Sequence, residues 1–388
     1  MHAAILLAAM EERDHAPAVA RARLVDEVPD DLAAEWQALA QHASEPNPFA
    51  EPWFVAASLR HLGGGPVHLV ECRTGGRLDG VILLGREARY GRTPVAHLQN
   101  WRHHHHFLGT PLVRRGREDA FWTALLAVLD AADWAPGFLH LRDLNRDGAL
   151  HHSLAAIRTA PIVYREERAL LDSDLSPDGY YEAVVRKKKR KELARLRNRL
   201  AELGPLVSRS FGEGDDLAAW CDDFLELERS GWKGREGSAL ACRSDTAAFF
   251  HAAVSGARGE GRLQLLRLDL GERPLAMLVN FLTPPGSFSF KTAFDEEHAR
   301  FSPGVHIQRD NLAILDRPDI AWMDSCAAAD HPMIDSLWAE RRSIVRVTVP
   351  LAGARRRLAF AAARALEQAS AARRRLAVHK PAQQEAHE

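Results

Sequence analysis

The chain has 388 residues, of which 46% are apolar and 27% are charged. These fractions are typical of a soluble globular protein, and the length predicts two domains rather than one compact core. The formal net charge of −1 excludes a molecule-wide electrostatic attraction to nucleic acid or to a membrane surface.

The N-terminal run and the cysteines together predict a cytoplasmic protein. The opening sequence MHAAILLAAMEERD has a short apolar stretch, but no basic region precedes it and acidic residues follow at once. It is therefore a poor signal peptide and too short to cross a bilayer. The cysteines are widely spaced and include no Cys-x-x-Cys pair, which predicts buried thiols in a reducing compartment rather than disulfides or a zinc site. They are Cys72, Cys221, Cys242 and Cys326.

The first half of the chain predicts alternating strands and helices. Apolar periodicity and turn residues indicate strands at 67–72, 80–86 and 95–98, a helix at 118–130, a strand at 138–142 and a helix at 149–158. Four histidines occupy residues 103–106. Because four adjacent imidazoles cannot all face one metal ion, we expect a polar loop near a cleft and no metal site.

A strongly basic stretch, residues 180–203, predicts a helix with leucines along one stripe. It holds nine Lys or Arg residues and three Glu residues, and most of them are expected on a solvated face. Arg186 and Lys189 fall on the apolar stripe if the helix is continuous. A cation there needs an acidic partner or a bound anion, so both are candidate substrate-binding residues.

The second half repeats the element order of the first. Strands are predicted at 262–270, 275–282 and 287–294, followed by a loop, a helix at 305–315, a strand at 320–325, a helix at 332–341 and a strand at 344–349. The repeat suggests tandem duplication of one α/β domain. From Leu351 onward, an Ala- and Arg-rich sequence predicts a surface helix that frays into a disordered end.

The turn Ser302-Pro303-Gly304 is the clearest candidate for anion binding. A strand that passes through a Gly-containing turn into a helix presents free N–H groups and the positive end of a helix dipole, which suits a phosphate. The corresponding turn of the first half contains Pro111, which has no N–H group to donate. The first half is therefore the weaker candidate for cofactor binding.

Several short motifs in a fixed order give residues 180–350 a resemblance to the FemAB/CelD-like acyltransferases of the GNAT superfamily. They include the Trp232-Lys233 pair, the 288–295 strand, the turn at 301–304 and the 320–325 strand. The resemblance implies an α/β (α+β) fold of two tandem GNAT-like domains, each with a mixed central sheet flanked by helices. The expected units are a degenerate N-terminal domain at 1–165, an acyl-CoA-binding domain at 166–350, and a basic helical tail at 351–388.

The resemblance also implies a set of site residues. Thioester and pantetheine would lie along Lys291, Thr292, Ala293 and Phe294, and pyrophosphate at Ser302, Pro303, Gly304 and Val305, with Arg309 as a nearby charge partner. Asp295 and Asp324 match acidic positions of the family pattern, where either could deprotonate the amine or simply cap a turn. Trp232 would wall the acceptor pocket, unless it is only a core residue, and Lys233 would meet an acid on substrate or protein.

The resemblance implies N-acyl transfer from an acyl-CoA, acetyl-CoA foremost, to an amine. No metal cofactor is expected. The acceptor implied by the family is an amino sugar or a cell-envelope or exopolysaccharide precursor, small or lipid-linked. One alternative is a FemAB-like aminoacyl-tRNA-dependent transferase that modifies a peptidoglycan precursor, and another is a non-catalytic binding module. No sequence-specific nucleic acid is expected, whereas the basic tail could contact a membrane or a partner. The sequence has no GxSxG or Gly-Lys-Ser/Thr motif, which argues against an α/β-hydrolase or a P-loop nucleotidase.

Overall fold

A computed structural model describes residues 16–378 of the chain. The first half of the fold contains seven strands and four α-helices among these residues. Its strands are β1 (Val19–Val25), β2 (Val67–Thr74), β3 (Arg77–Glu87), β4 (His97–Asn100), β5 (Leu112–Val113), β6 (Phe138–Asn145) and β7 (Ile162–Asp172). Its helices are α1 (Asp30–Ala40), α2 (Pro52–Leu62), α3 (Glu118–Ala131) and α4 (Ala149–Ile157). Residues 1–14, predicted to be a poor signal peptide, lie outside the described residues.

The second half contributes further helices and six strands to the described part of the chain. The helices are α5 (Pro177–Val184), α6 (Lys187–Ala201), α7 (Leu217–Ser230), α8 (Trp232–Arg235), α9 (Ser244–Gly259), α10 (Pro303–Asp310) and α11 (Ala354–Val378). The strands are β8 (Leu206–Ser210), β9 (Leu263–Leu270), β10 (Arg273–Thr283), β11 (Gly286–Phe294), β12 (Trp322–Asp324) and β13 (Glu340–Pro350). None of the described helices is both long and apolar enough to cross a membrane. The predicted disordered end at 379–388 lies outside the described residues.

The strands form one continuous mixed sheet in which an internal repeat is visible. The order is β1-β2-β3-β4-β6-β13-β7-β12-β11-β10-β9-β8, and β5 pairs with β3. In each half, four antiparallel strands lead to a parallel pair, β4 with β6 and β11 with β12. This shared order confirms the duplication predicted from the sequence.

The two halves exchange their last strands. β13 lies between β6 and β7, with Val347 opposite Leu141 and Ile344 opposite Glu166. β7 in turn lies between β13 and β12, where Leu171 is opposite Met323. The boundary expected between residues 165 and 166 therefore falls inside β7, a strand that hydrogen-bonds to two strands of the second half.

An aromatic cluster joins the halves above the centre of the sheet. Phe49 and Phe54 of the first half pack against Phe249, Phe281 and Phe290 of the second, with ring centroids 5.5 to 6.2 Å apart. All five side chains are buried. Aromatic pairs stabilise a fold beyond the burial of their apolar area and prefer specific ring geometries. These contacts therefore hold the loops of the first half in place against β11.

Two predicted helices differ in the structure. The helix expected at 180–203 is two helices, because Val185 and Arg186 are extended (ψ 119° and 137°) between α5 and α6. The helix expected at 332–341 is a pair of tight turns closed by the carbonyls of His331 and Ile334, after which β13 begins. The predicted basic helix of the tail is present as α11.

Candidate active site

The parallel strands β11 and β12 separate at the centre of the second half. They pair only where Gly286, Ser287 and Phe288 face β12, whereas β11 continues to Phe294. Along residues 289–294, one edge of β11 therefore has no strand beside it among the described residues. Unpaired N–H and C=O groups on such an edge are available to an extended ligand.

A small pocket lies at this edge and brings together five predicted residues from separate parts of the sequence. The cavity has a volume of about 30 Å³. Its lining is Leu227, Glu228, Gly231, Trp232, Lys233, Thr292, Ala293, Phe294 and Glu296. We call it the Lys291 pocket after the neighbouring Lys291 of β11, which does not line the cavity but interacts electrostatically with Glu228 and Lys233 at its wall.

Glu228 is the acidic partner predicted for Lys233, although no sequence motif identified which acid it would be. Its Oε1 lies 2.8 Å from Lys233 Nζ, and its Oε2 accepts the Leu240 N–H at 2.8 Å. Burial acts to raise the pKa of Glu228, but Lys291, Lys233 and these hydrogen bonds outweigh it and hold that pKa below its usual value. The sequence signal for this pair was that Lys233 follows the amphipathic helix α7 and that Glu228 lies on this helix five residues before it.

Lys291 is a largely desolvated cation on β11. Its Nζ lies 5.4 Å from the ring centroid of Phe290 and 5.9 Å from that of Phe107. Burial lowers the pKa of Lys291 to about 8, although Glu228 acts in the opposite direction. An ammonium held between aromatic rings at a strand edge is a suitable partner for a negative charge.

The histidine loop of the first half approaches the same cation. His105 stacks on Phe249 with centroids 5.5 Å apart, and burial together with Lys291 lowers the pKa of His105 to about 2. His103 is fixed as a neutral ring, because its Nδ1 accepts the His105 N–H at 3.2 Å and its Nε2 lies 2.9 Å from Ser58 Oγ. No cluster of three or more potential metal ligands occurs within residues 16–378.

The geometry argues against Asp324 as the base. Its Oδ2 lies 3.0 Å from Arg342 Nη1 and its Oδ1 lies 3.4 Å from Arg168 Nη1, while Oδ1 also accepts the Cys326 N–H at 2.8 Å. The side chain is fully buried. Burial alone would raise the pKa of Asp324, but the two arginines keep it below its usual value. A carboxylate with both oxygens occupied in this way holds the strand ends together and is a poor proton acceptor.

Asp295 caps a turn. Its Oδ1 accepts the Glu297 N–H at 2.9 Å, and its Oδ2 lies 2.9 Å from His298 Nδ1. Asp295 also borders a groove of about 590 Å³ that shares Leu227 and Glu296 with the Lys291 pocket. The other charged residues of this groove are Asp223, Glu226, Arg235, Arg273 and Glu297.

The turn predicted for pyrophosphate has fewer free donors than expected. Ser302 adopts a left-handed conformation (φ 58°), and its carbonyl accepts the N–H groups of Val305 at 3.0 Å and His306 at 3.1 Å. Pro303 has no N–H. A Cβ at Gly304 would lie 2.9 Å from Met333 Sδ and 3.0 Å from a ring carbon of Phe294, so Gly304 allows these side chains to pack over the turn.

The remaining predicted cations lie away from the Lys291 pocket. Arg309 packs over the ring of Tyr181, with its guanidinium carbon 4.7 Å from the centroid. Arg186 is exposed in the break between α5 and α6, contrary to its predicted place on the apolar stripe. Lys189 is half-buried, and burial lowers its pKa. None of the three lines the pocket.

Comparisons with known proteins agree with this architecture. Residues 187–331 match the family model described as Acetyltransferase (GNAT) domain. The structure of FemX is similar with a TM-score of 0.58 at 11% identity, over 84% of this chain and 96% of FemX. A conserved protein of unknown function from Bacteroides thetaiotaomicron VPI-5482 gives 0.53 at 10% identity, over 85% and 100% of the two chains.

A third similar structure is the C-terminal domain (DUF2156) of a putative lysylphosphatidylglycerol synthetase from Agrobacterium fabrum. Its TM-score is 0.51 at 13% identity, over 85% of this chain and 95% of that one. No curated protein matches the chain in sequence. Identities this low establish the fold alone. The chain thus has a FemAB-like tandem GNAT fold, which confirms the resemblance predicted from its sequence.

Proposed function

We propose that this chain is an N-acyltransferase that moves an acyl group, acetyl foremost, from acyl-CoA to an amine. The observation that carries the proposal is the position of the half-buried Lys291, whose Nζ lies 5.4 Å from the ring centroid of Phe290 and 5.9 Å from that of Phe107, on the part of β11 beyond its pairing with β12. The matched acetyltransferase model also covers this strand, the pocket and α10.

The proposed reaction uses the strand edge and the cation together. The neutral amine attacks the thioester carbonyl carbon, the C–S bond breaks, and the departing thiolate takes up the proton that the amine loses. Negative charge develops on the carbonyl oxygen in the transition state. Backbone N–H groups of residues 289–294 and the Lys291 ammonium are the groups available to stabilise that charge.

The acidic groove beside the pocket supports an amine acceptor. It contains five carboxylates and two arginines, and two of the carboxylates, Asp223 and Glu226, also pair with Arg267 and Arg229 outside the lining, which leaves a small negative excess that favours a cation. A protonated amino group would be attracted there before it reaches the pocket in its neutral form. We propose an amino sugar or a cell-envelope or exopolysaccharide precursor as the acceptor class, on the family resemblance.

The tail helix supports a contact with an anionic surface. Arg355, Arg357 and Leu358 of α11 are exposed, and Leu358 retains 73% of its accessible surface. A basic helix with exposed leucines is suited to the headgroup region of an anionic bilayer. We propose that this helix contacts a membrane surface peripherally. Such a contact would bring the protein close to a lipid-linked acceptor.

One observation favours a second candidate, transfer from aminoacyl-tRNA. The N-terminal part of α6 exposes Lys187, Lys188 and Lys191, a basic face that could bind RNA phosphates without sequence specificity. The few free donors at the Ser302 turn also favour a donor other than CoA. A cytoplasmic site of action, which the sequence predicts, suits either donor.

Calorimetric titration with CoA, acetyl-CoA and a longer acyl-CoA tests the proposal. We expect micromolar binding that depends on the acyl group. Because Lys291 would act on the carbonyl, Lys291→Met should weaken acetyl-CoA binding more than CoA binding, whereas Lys188→Met on the exposed face of α6 should change neither. Absence of binding to all three ligands would reject the acyl-CoA assignment. Salt-sensitive tRNA binding that disappears when residues 187–191 are neutralised would establish the second candidate.

A further inference from the structure

Three half-buried arginine side chains meet on the central strands of the sheet. They are Arg102 in the loop after β4, Arg142 on β6 and Arg346 on β13. Arg142 is repelled electrostatically by both of the others, and Arg102 is repelled by Arg346. None of the three lines the Lys291 pocket, and neither the predicted site nor the proposed reaction uses them.

One carboxylate, that of Asp143, forms ion pairs with two of these arginines. Its Oδ2 lies 2.9 Å from Arg102 Nη1, and its Oδ1 lies 3.0 Å from Arg346 Nε. Asp143 has a left-handed backbone (φ 59°) and faces a register shift on β13. Irregularities of this kind re-aim side chains within a sheet. Both oxygens of Asp143 are therefore engaged, and Arg142 remains without an ion pair.

The guanidinium groups of Arg142 and Arg346 have unused donors. Arg142 forms no ion pair and no side-chain hydrogen bond among the described residues, and its Nε is buried without a partner. Arg346 bonds Asp143 through Nε, and its guanidinium carbon lies 4.3 Å from the ring centroid of Tyr164. The terminal nitrogens of Arg346 have no hydrogen-bond partner within residues 16–378. A buried donor without a partner is unfavourable, so a ligand that accepts these N–H groups would lower the free energy.

The surrounding carboxylates do not remove the positive excess. Glu166 attracts Arg102, but it pairs with Arg168 at 3.3 Å and accepts the hydroxyl of Tyr164 at 3.1 Å. Glu87 attracts Arg142, but it is exposed and forms no ion pair with it. Solvent therefore screens its charge.

We propose that Arg142 and Arg346 form a binding site for an oxyanion of the phosphate class. Each guanidinium presents its N–H groups in a planar fork that matches two oxygens of a phosphate. Two guanidinium groups that repel each other in the free protein are both stabilised when an anion binds between them. The same chemistry is offered by inorganic phosphate and by a phosphorylated amino sugar, and only the second source rests on the proposed acceptor class.

Calorimetric titration with inorganic phosphate, at an ionic strength held constant with chloride, tests the site. We expect saturable binding to the wild type, and Arg142→Gln should raise the Kd at least about tenfold, the size of one charged hydrogen bond. Arg346→Lys keeps a cation beside Asp143 but removes the fork, so it should also weaken binding. The matched control is Arg86→Gln, an exposed arginine of β3, which should leave the Kd within about twofold of the wild type.

Thermal unfolding separates binding from a structural role. Without phosphate, Arg142→Gln should be at least as stable as the wild type, because it loses no protein partner and relieves a repulsion. Saturating phosphate should raise the melting temperature of the wild type and have much less effect on that of the variant.

A comparison of ligands identifies the source of the anion. A lower Kd for glucosamine 6-phosphate than for inorganic phosphate, lost in Arg142→Gln, would assign the site to a phosphorylated acceptor. Equal Kd values would assign it to the free ion.

Three results would overturn the inference. The first is the absence of saturable binding of either phosphate compound to the folded wild type, which would leave the acyltransferase proposal standing. The second is an equal loss of affinity in Arg86→Gln and Arg142→Gln, since that would show only a general effect of charge. The third is a lower melting temperature of Arg142→Gln without phosphate, which would make Arg142 structural.

Discussion

Replacing Lys291 with methionine should stabilise the fold, because keeping the half-buried ammonium charged in the native state costs free energy. The pKa of Lys291 falls from 10.5 to about 8 on folding, with burial as the main cause. At 1.36 kcal/mol for each tenfold change in proton affinity, this difference corresponds to at most about 3 kcal/mol at pH 7, since the side chain keeps some contact with solvent. Methionine fills similar space without the charge.

The stabilisation should depend on pH in a defined direction. Between the folded pKa near 8 and the unfolded value of 10.5, the unfolded chain binds more protons at Lys291 than the native one, so wild-type stability rises with pH in this window. The cost of the ammonium falls from about 3 kcal/mol at pH 7 to about 1.4 kcal/mol at pH 9.5 by the same relation. The advantage of Lys291→Met should shrink by a similar amount.

Denaturant unfolding at pH 7 and pH 9.5 measures this effect. Lys291→Arg is the matched control, because arginine stays charged throughout and should give neither stabilisation nor the change with pH. The reasoning is refuted if Lys291→Met is less stable than the wild type at pH 7. It is equally refuted if the stability difference is the same at both pH values.

Three further substitutions test the surroundings of the pocket. Glu228→Gln leaves Lys233 without its carboxylate partner and should lower the free energy of unfolding by about 1–3 kcal/mol, measured by urea denaturation; unchanged stability would mean that the ion pair contributes little. Asp324→Asn should cost about 3–5 kcal/mol, because it removes the carboxylate paired with the half-buried Arg342 and one of the two carboxylates paired with the buried Arg168; a large loss of turnover with full stability would instead restore a catalytic role. Gly304→Asp should lower the melting temperature, because its side chain meets Met333, and a second change, Met333→Ala, should recover part of the loss; equal melting temperatures for wild type and Gly304→Asp would contradict the packing.

Local sequence patterns predicted the strand β11 and the turn after it, whereas the residues of β11 that line the pocket came from the family resemblance. Alternation of polar and apolar residues at 287–294 predicted β11, which the structure extends by one residue to Gly286. The order of elements in the two halves predicted their common topology. The resemblance assigned Trp232 and Lys233 to the acceptor and residues 292–294 to the donor, and all five line one pocket in the fold. Signals of this kind depend on neighbours in the sequence and on the order of elements.

Three features of the site were not visible in the sequence, one because it depends on a distant segment and two because they depend on local backbone conformation. For Asp324 the sequence left a catalytic and a turn-capping role open, and it gave no sign of the ion pair with Arg168, which is more than a hundred residues away in sequence. Arg186 was placed on an apolar stripe that the extended break before α6 removes. Free donors were expected at the Ser302 turn, but Pro303 has no N–H and the N–H groups of Ser302, Val305 and His306 are already bonded to backbone carbonyls. Only the pairing of Asp324 is set by tertiary contacts, whereas the other two outcomes are set by the local backbone.

The exchange of strands explains why the candidate site uses both halves. Because β13 is inserted beside β6 and β7 beside β12, the halves share a continuous ladder of hydrogen bonds at the centre of the sheet. The loop after β4 is therefore held against β11, where Phe107 and His105 help to exclude water from Lys291. An ammonium in that environment interacts more strongly with a developing negative charge than one in open solvent. The first half, whose own turn contains Pro111, thus contributes to the site as the wall that desolvates the cation of the second half.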